Sequence, residues 1–137
     1  MFVVRAIQSK ELQREICEAI GTEYKENALA YFAADLCDNG VDIDSYISIC
    51  QFYFCGDAEI IDLKAAEGRD DDEAVIVMLR AVMSFMHRCG VKNVRFADGA
   101  ANDWWLKKSG FICVDGVYSM DLVKFYTSPC KYSEELS

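Results

Sequence analysis

The chain of 137 residues has one proline, one histidine, and 14 Lys and Arg against 23 Asp and Glu. Each shortage excludes something. With a single proline and no stretch rich in Pro, Gly or Ser, no interior linker divides the chain, and one domain is expected. A lone histidine, His87, leaves a zinc centre or a Cys and His dyad resting on one residue, and no cysteine spacing supports either. The net charge of −9 argues against a nucleic acid or an anionic membrane as partner, since both need clustered basic side chains. No apolar run approaches the ~18 residues of a membrane span. The opening "MFVVRAIQSKELQ" has too short an apolar run for a secretion signal, so a cytoplasmic protein is expected.

Cysteine is not scarce, with seven at positions 17, 37, 50, 55, 89, 113 and 130. The number is odd and no CxxC pair occurs. Cys50 and Cys55 in "CQFYFC" fall on opposite faces of a strand and cannot form one metal clip. Buried or half-buried thiols in a reducing compartment are expected. Asp35, Asn39 and Gly40 match part of a calcium loop, but Cys37 and Tyr46 stand where it needs ligands, and no metal is expected.

With 53% hydrophobic residues, the chain can bury about two thirds of its unfolded surface. "FVVRAI" reads as a strand, and Ser9 as the cap of a helix that stops at Gly21. "ENALAYFAADLCD" reads as a second helix. "DSYISICQFYFC" and "AEIIDLKAA" form a hairpin about Gly56 and Asp57. A long helix runs from Asp71 to Cys89, with His87 and Arg88 at its basic end and Gly90 after it. "VKNVRFAD" is a strand, "ANDWWLKKSG" a short helix, and "FICVDGVYSMDL" a hairpin on Asp115 and Gly116. The order predicts an α/β protein, a mixed sheet with helices on both faces, with residues 1–126 as one domain and 127–137 as a tail. Trp104 and Trp105 are adjacent, so one is expected inside and the other in a groove or an interface. Phe52, Tyr53 and Phe54 alternate between inside and outside.

The segments "GDAEIIDLKAAEG", "AVIVMLRAVMSFMHRCGVKNVRF" and "WLKKSGF" give the stretch from Asp57 to Leu122 a pattern that resembles the GCN5-related N-acetyltransferase superfamily. One of the two strands that precede "AEIIDL" in that family is expected to be absent or merged into "YISICQFYFC". The resemblance implies an acyl-CoA N-acyltransferase fold, with the coenzyme A pyrophosphate wrapped by backbone N–H groups where the strand runs into the long helix. It also implies cofactor contacts at Leu63 and Ala65 and along the strand backbone to Ala66. An ungapped match puts the family's Arg or Gln at Asp70 and its two glycines at Glu73 and Val75, so all three have changed.

Those changes act in one direction. Glu73 and Val75 add side chains where backbone should approach a ligand. Carboxylates repel an anionic pyrophosphate, by roughly 4 kcal/mol per pair of charges about 4 Å apart at an effective dielectric near 20. Asp70, Asp71 and Asp72 can instead cap their own helix and complement its dipole. The family's acidic Tyr falls on Leu106, which donates no proton, and a shift by one residue brings Trp105. Glu59 and Asp62, on the strand, are the general-base candidates, since alternation turns one carboxylate toward a cleft.

The sequence therefore predicts an acetyltransferase-fold protein that has lost acetyl-CoA chemistry and binds a small molecule or a protein, with no cofactor. The first alternative is an active N-acetyltransferase with acetyl-CoA as cofactor and a cationic amine as acceptor. The second is a structural or regulatory module that associates, with itself or another protein, through an exposed aromatic or an open strand edge.

Overall fold

The computed structural model describes residues 1–68, 71–97 and 103–127. Strand β1 (Phe2–Ala6) leads into α1 (Lys10–Ile20), then β2 (Leu29–Leu36), β3 (Ile43–Cys55) and β4 (Asp57–Ala65). Helix α2 (Asp72–Arg88), β5 (Asn93–Phe96), α3 (Asp103–Lys108), β6 (Ile112–Val114), β7 (Val117–Asp121) and α4 (Leu122–Thr127) complete the chain order. The tail expected beyond residue 127 and Cys130 lie outside the described residues.

The seven strands form one sheet in the order β1-β2-β3-β4-β5-β7-β6. Its first four strands make an antiparallel meander, β4 and β5 run parallel, and β7 returns antiparallel to both β5 and β6. A parallel neighbour needs a crossover, which α2 supplies. The mixed sheet with helices on both faces is as the sequence predicts.

Two expectations fail between residues 26 and 55. "LAYFAADL" is β2 and not a second helix, and the strand expected to be missing is therefore present. Its residues are needed on both faces. Ala30, Phe32 and Ala34 pack under α1, while Ala33 joins the core under α2, so an element between two layers becomes a strand despite its helix-forming alanines. Residues 21–28 alone connect α1 to β2.

Helix α1 starts on Ser9, whose hydroxyl accepts from the Leu12 N–H at 3.1 Å. It lays Ile16, Cys17 and Ile20 against β2 and β3. Helix α2 covers the opposite face with Ala74, Val75, Met78, Leu79, Val82, Met83 and Met86, all buried. At about 1.5–3 kcal/mol per large apolar side chain, this helix anchors the main core. Gly110 is confined for two reasons. Its φ is +103°, and a Cβ there would stand 3.0 Å from Met120 Cε and 3.2 Å from Phe125 Cε2. The sequence did not reveal α4, which buries Leu122 completely and stacks Tyr126 on the exposed His87 ring at 4.3 Å. Among the described residues no helix is long and apolar enough to cross a membrane.

Candidate functional site

The parallel seam is short. Ala58, Glu59 and Ile60 of β4 pair with Val94, Arg95 and Phe96 of β5, and Ala97 N–H adds a bond to the Ile60 carbonyl at 3.0 Å. Strand β4 continues to Ala65, and among the described residues its last part pairs with β3 alone. Opposite Gln51 and Phe52 stand Asp62 and Ile60, which leaves Ile61 as the extra residue of a β-bulge. The bulge turns Glu59 and Asp62, three apart in sequence, to the same face of the sheet, the α1 side.

Their environments differ. The Glu59 side chain is 18% exposed, and its Oε2 receives both Arg95 Nη2 at 2.8 Å and Arg95 Nε at 2.9 Å. It lines an open cleft of about 520 Å³ with Tyr53, Asp57, Asn93 and Ser119. Asp62 serves the fold instead. Its Oδ2 accepts from Thr22 Oγ1 at 2.8 Å and Gln51 Nε2 at 3.0 Å. Gln51, fully buried, also donates to the Glu23 carbonyl at 2.9 Å and accepts from Gln13 Nε2 at 3.0 Å and Lys25 N–H at 2.9 Å. Both its amide protons and its carbonyl are thus satisfied, and the segment from Thr22 to Lys25 is tied to the sheet.

Cys17 and Cys50 lie near this cluster. Burial, and then the Asp62 charge, pushes the Cys17 thiol up to about 11 and raises that of Cys50 as well. Neither is a nucleophile at neutral pH. Cys37 is half-buried, but Cys55, Cys89 and Cys113 are exposed, against the sequence expectation of buried or half-buried thiols.

At the start of α2 the carboxylates hold protein groups. Asp71 is the N-cap and accepts from the Ala74 N–H at 3.3 Å, and Asp72 Oδ1 accepts from Trp105 Nε1 at 2.7 Å. Glu73 is exposed. Val75 is 1% exposed and belongs to the core, so its side chain does not fill ligand space as the sequence suggests. Asp70 lies outside the described residues. Leu63 is buried in the same core, and Ala65 is half-buried opposite Ser48. Leu106 is buried and apolar, whereas Trp104 is 49% exposed. Burial, and then the Asp103 carboxylate, raises the Tyr118 phenol on β7 above its ordinary value. Among the described residues no cluster of three or more His, Cys, Asp or Glu could hold a metal ion.

Sequence reasoning missed Arg95, Asp57, Ser119 and the bond from Trp105 to Asp72. Each depends on which elements become neighbours. Gln51 had a legible signal, a polar residue amid the apolar run "SICQFYF".

A mixed sheet with a short parallel seam, and a buried crossover helix after β4, is the architecture of the GCN5-related N-acetyltransferases, and the chain has their fold. An IAA acetyltransferase from Bacillus cereus superposes with a TM-score of 0.64 at 16% identity, over 88% of this chain and 99% of that one. The PaiA N-acetyltransferase from Thermoplasma acidophilum, solved in complex with coenzyme A, gives 0.63 at 13% identity over the same shares, 88% and 99%. An N-acetyltransferase from Staphylococcus aureus gives 0.62 at 14%, covering 89% of this chain and 99% of that one. No protein-family model matches the sequence, and no curated protein sequence matches it.

Proposed function

We propose that this protein is a ligand- or protein-binding derivative of the acetyltransferase fold that no longer grips coenzyme A by its pyrophosphate. The occupied start of α2 carries this reading. The N–H of Ala74, which could face an anion, is taken by Asp71, and Asp72 is held by Trp105. A pyrophosphate arriving there would meet carboxylates beside an N–H that is already capped. Leu106 adds a second argument, since an apolar buried side chain offers no proton to a departing thiolate. Among the described residues, the open cleft at Glu59 is the candidate site for a ligand.

The experiment is calorimetric titration with acetyl-CoA at moderate salt. Binding weaker than about 1 mM is expected, corresponding to less than ~4 kcal/mol. A dissociation constant in the low micromolar range would overturn the reading.

One observation favours a second reading, an active N-acetyltransferase for a cationic amine. Glu59 lines a cleft of about 520 Å³ that also presents Asp57, Arg95 and the ring of Tyr53, so its two carboxylates exceed its one guanidinium and leave room for a cation. In that case Glu59, released from Arg95, is the general base. Acetylation of an amine that is lost in Glu59→Gln, with folding intact, would establish it.

A further inference from the structure

Glu59 and Arg95 face each other in the middle of the three-pair parallel seam, so the backbone register itself sets the guanidinium on the carboxylate. Their exposures are unequal, 18% for the Glu59 side chain and 66% for that of Arg95. The carboxylate is recessed and the cation lies over it. Arg95 Nη2 and Nε both bond to Oε2, at 2.8 and 2.9 Å, and not one to each oxygen as in the fork that holds a carboxylate most firmly. An ion pair with so exposed a partner adds little to stability and opens readily. There is room for it to open. Glu59 and Arg95 line the cleft of about 520 Å³ and also an adjoining one of about 290 Å³ with Phe96, Ala97 and Val117, so the guanidinium can swing from the first into the second. Residues two apart on a strand share a face, which sets Asp57 with Glu59, and sets Asp121, cross-strand from Asn93, with Ser119. Asp121 also caps α4 through the Lys124 N–H at 3.1 Å. Three carboxylates, Asp57, Glu59 and Asp121, thus stand about one guanidinium.

On the reading that this cleft is the ligand site, we propose that Arg95 is its latch. It occupies the seat of a cationic ligand, and a guanidinium or primary ammonium on a short carbon chain binds by displacing it from Glu59. The incoming cation repeats what the chain already holds there, a positive charge against a recessed carboxylate. Its carbon chain lies along the ring of Tyr53, which is cross-strand from Glu59 and 44% exposed. Beyond Tyr53 a further cavity of about 340 Å³ opens between Ile61 and the loop from Glu23 to Ala28. Arg95 stays tethered to β5 when displaced, so the excess of carboxylates holds both cations at once. Only molecules with Arg95 off Glu59 are open to the ligand, and the apparent dissociation constant rises as that fraction falls. A neutral analogue has no charge with which to replace Arg95.

The test is a proton–nitrogen correlation NMR titration of the full chain with n-butylguanidinium chloride, at an ionic strength held constant with sodium chloride and with n-butanol as the neutral control. In the parent, weak binding is expected, with shifts centred on the amides of residues 57–59 and 93–95. The Arg95 Nε–H resonance should move with them as it leaves Glu59. Arg95→Met, which keeps a carbon stem and removes the cation, should bind the probe at least tenfold more tightly, and Arg95→Gln likewise. Adding Glu59→Gln to either variant should abolish that gain. The dispersion of each spectrum reports that the sample is folded. Equal affinity in the parent and both Arg95 variants, or a gain that survives Glu59→Gln, overturns the latch and leaves the cleft a ligand site. No saturable shift at the cleft in any of them overturns the latch and the ligand site together. Butanol binding as tightly as the guanidinium overturns the cation as the ligand.

Discussion

Gln51 holds more of this molecule together than its single amide suggests. It is fully buried and bonds to Gln13, Asp62 and the backbone of Glu23 and Lys25. Gln51→Leu preserves much of the volume but leaves those partners unpaired, at about 1–3 kcal/mol for each buried group stranded. A loss of roughly 2 to 4 kcal/mol is expected in urea denaturation, with some groups rescued by water. The neighbouring Cys17 makes a prediction about pH. Its thiol ionises near 9.0 when unfolded and near 11 when folded. The unfolded chain therefore loses its proton first, so this contribution is intact below pH 9.0 and fades as pH rises to about 11. Urea midpoints measured from about pH 8 to 11 should fall, and the fall should be smaller in Cys17→Ala.

Among the elements, those with a strong local signal were legible. The hairpin turn at Asp115 and Gly116 has φ of 53° and 80°, which only such residues adopt readily, and the acids before α2 did announce a capped helix. Where neighbours decide, the sequence was silent or misleading. The alanines of β2 read as helix because nothing local says that two layers will cover them. The bulge at Ile61 leaves no mark in "AEIIDL", so the shared face of Glu59 and Asp62 could not be foreseen. Helix α4 has 6 residues, fewer than two turns, directly after β7, too brief to show a 3.6-residue pattern. The cap of α2 can be tested as a unit. Asp71→Ala with Asp72→Ala should cost about 1 to 2 kcal/mol in stability through the lost cap and the weakened helix-end field. The same change should strengthen acetyl-CoA binding at least tenfold in calorimetry, because an anion regains free donors. Val75→Gly is the wrong way to reopen the site, since it cuts into the core, where it should cost about 2 to 4 kcal/mol.

For the whole molecule, the last two strands of the chain, β6 and β7, depend on the short helix after β7. Leu122 is fully buried, Phe125 lies against Gly110, and Tyr126 stacks on His87, so α4 clasps β7 to α2. A chain ending at Asp121 should melt well below one ending at Thr127, with β6 and β7 losing order first. The seam between β4 and β5 has a similar meaning. On its N-terminal side every strand joins its sequence neighbour in an antiparallel meander, and on its other side β5, β7 and β6 form a second group. Three parallel residue pairs join the two groups. Contacts close in sequence form early and open late, whereas a parallel pairing across a helix must wait for a long loop to close. The protein should therefore behave as two cooperative blocks in native-state amide exchange. Protons of β5 and β7 should be released through a partial opening, while those of β2 and β3 wait for global unfolding.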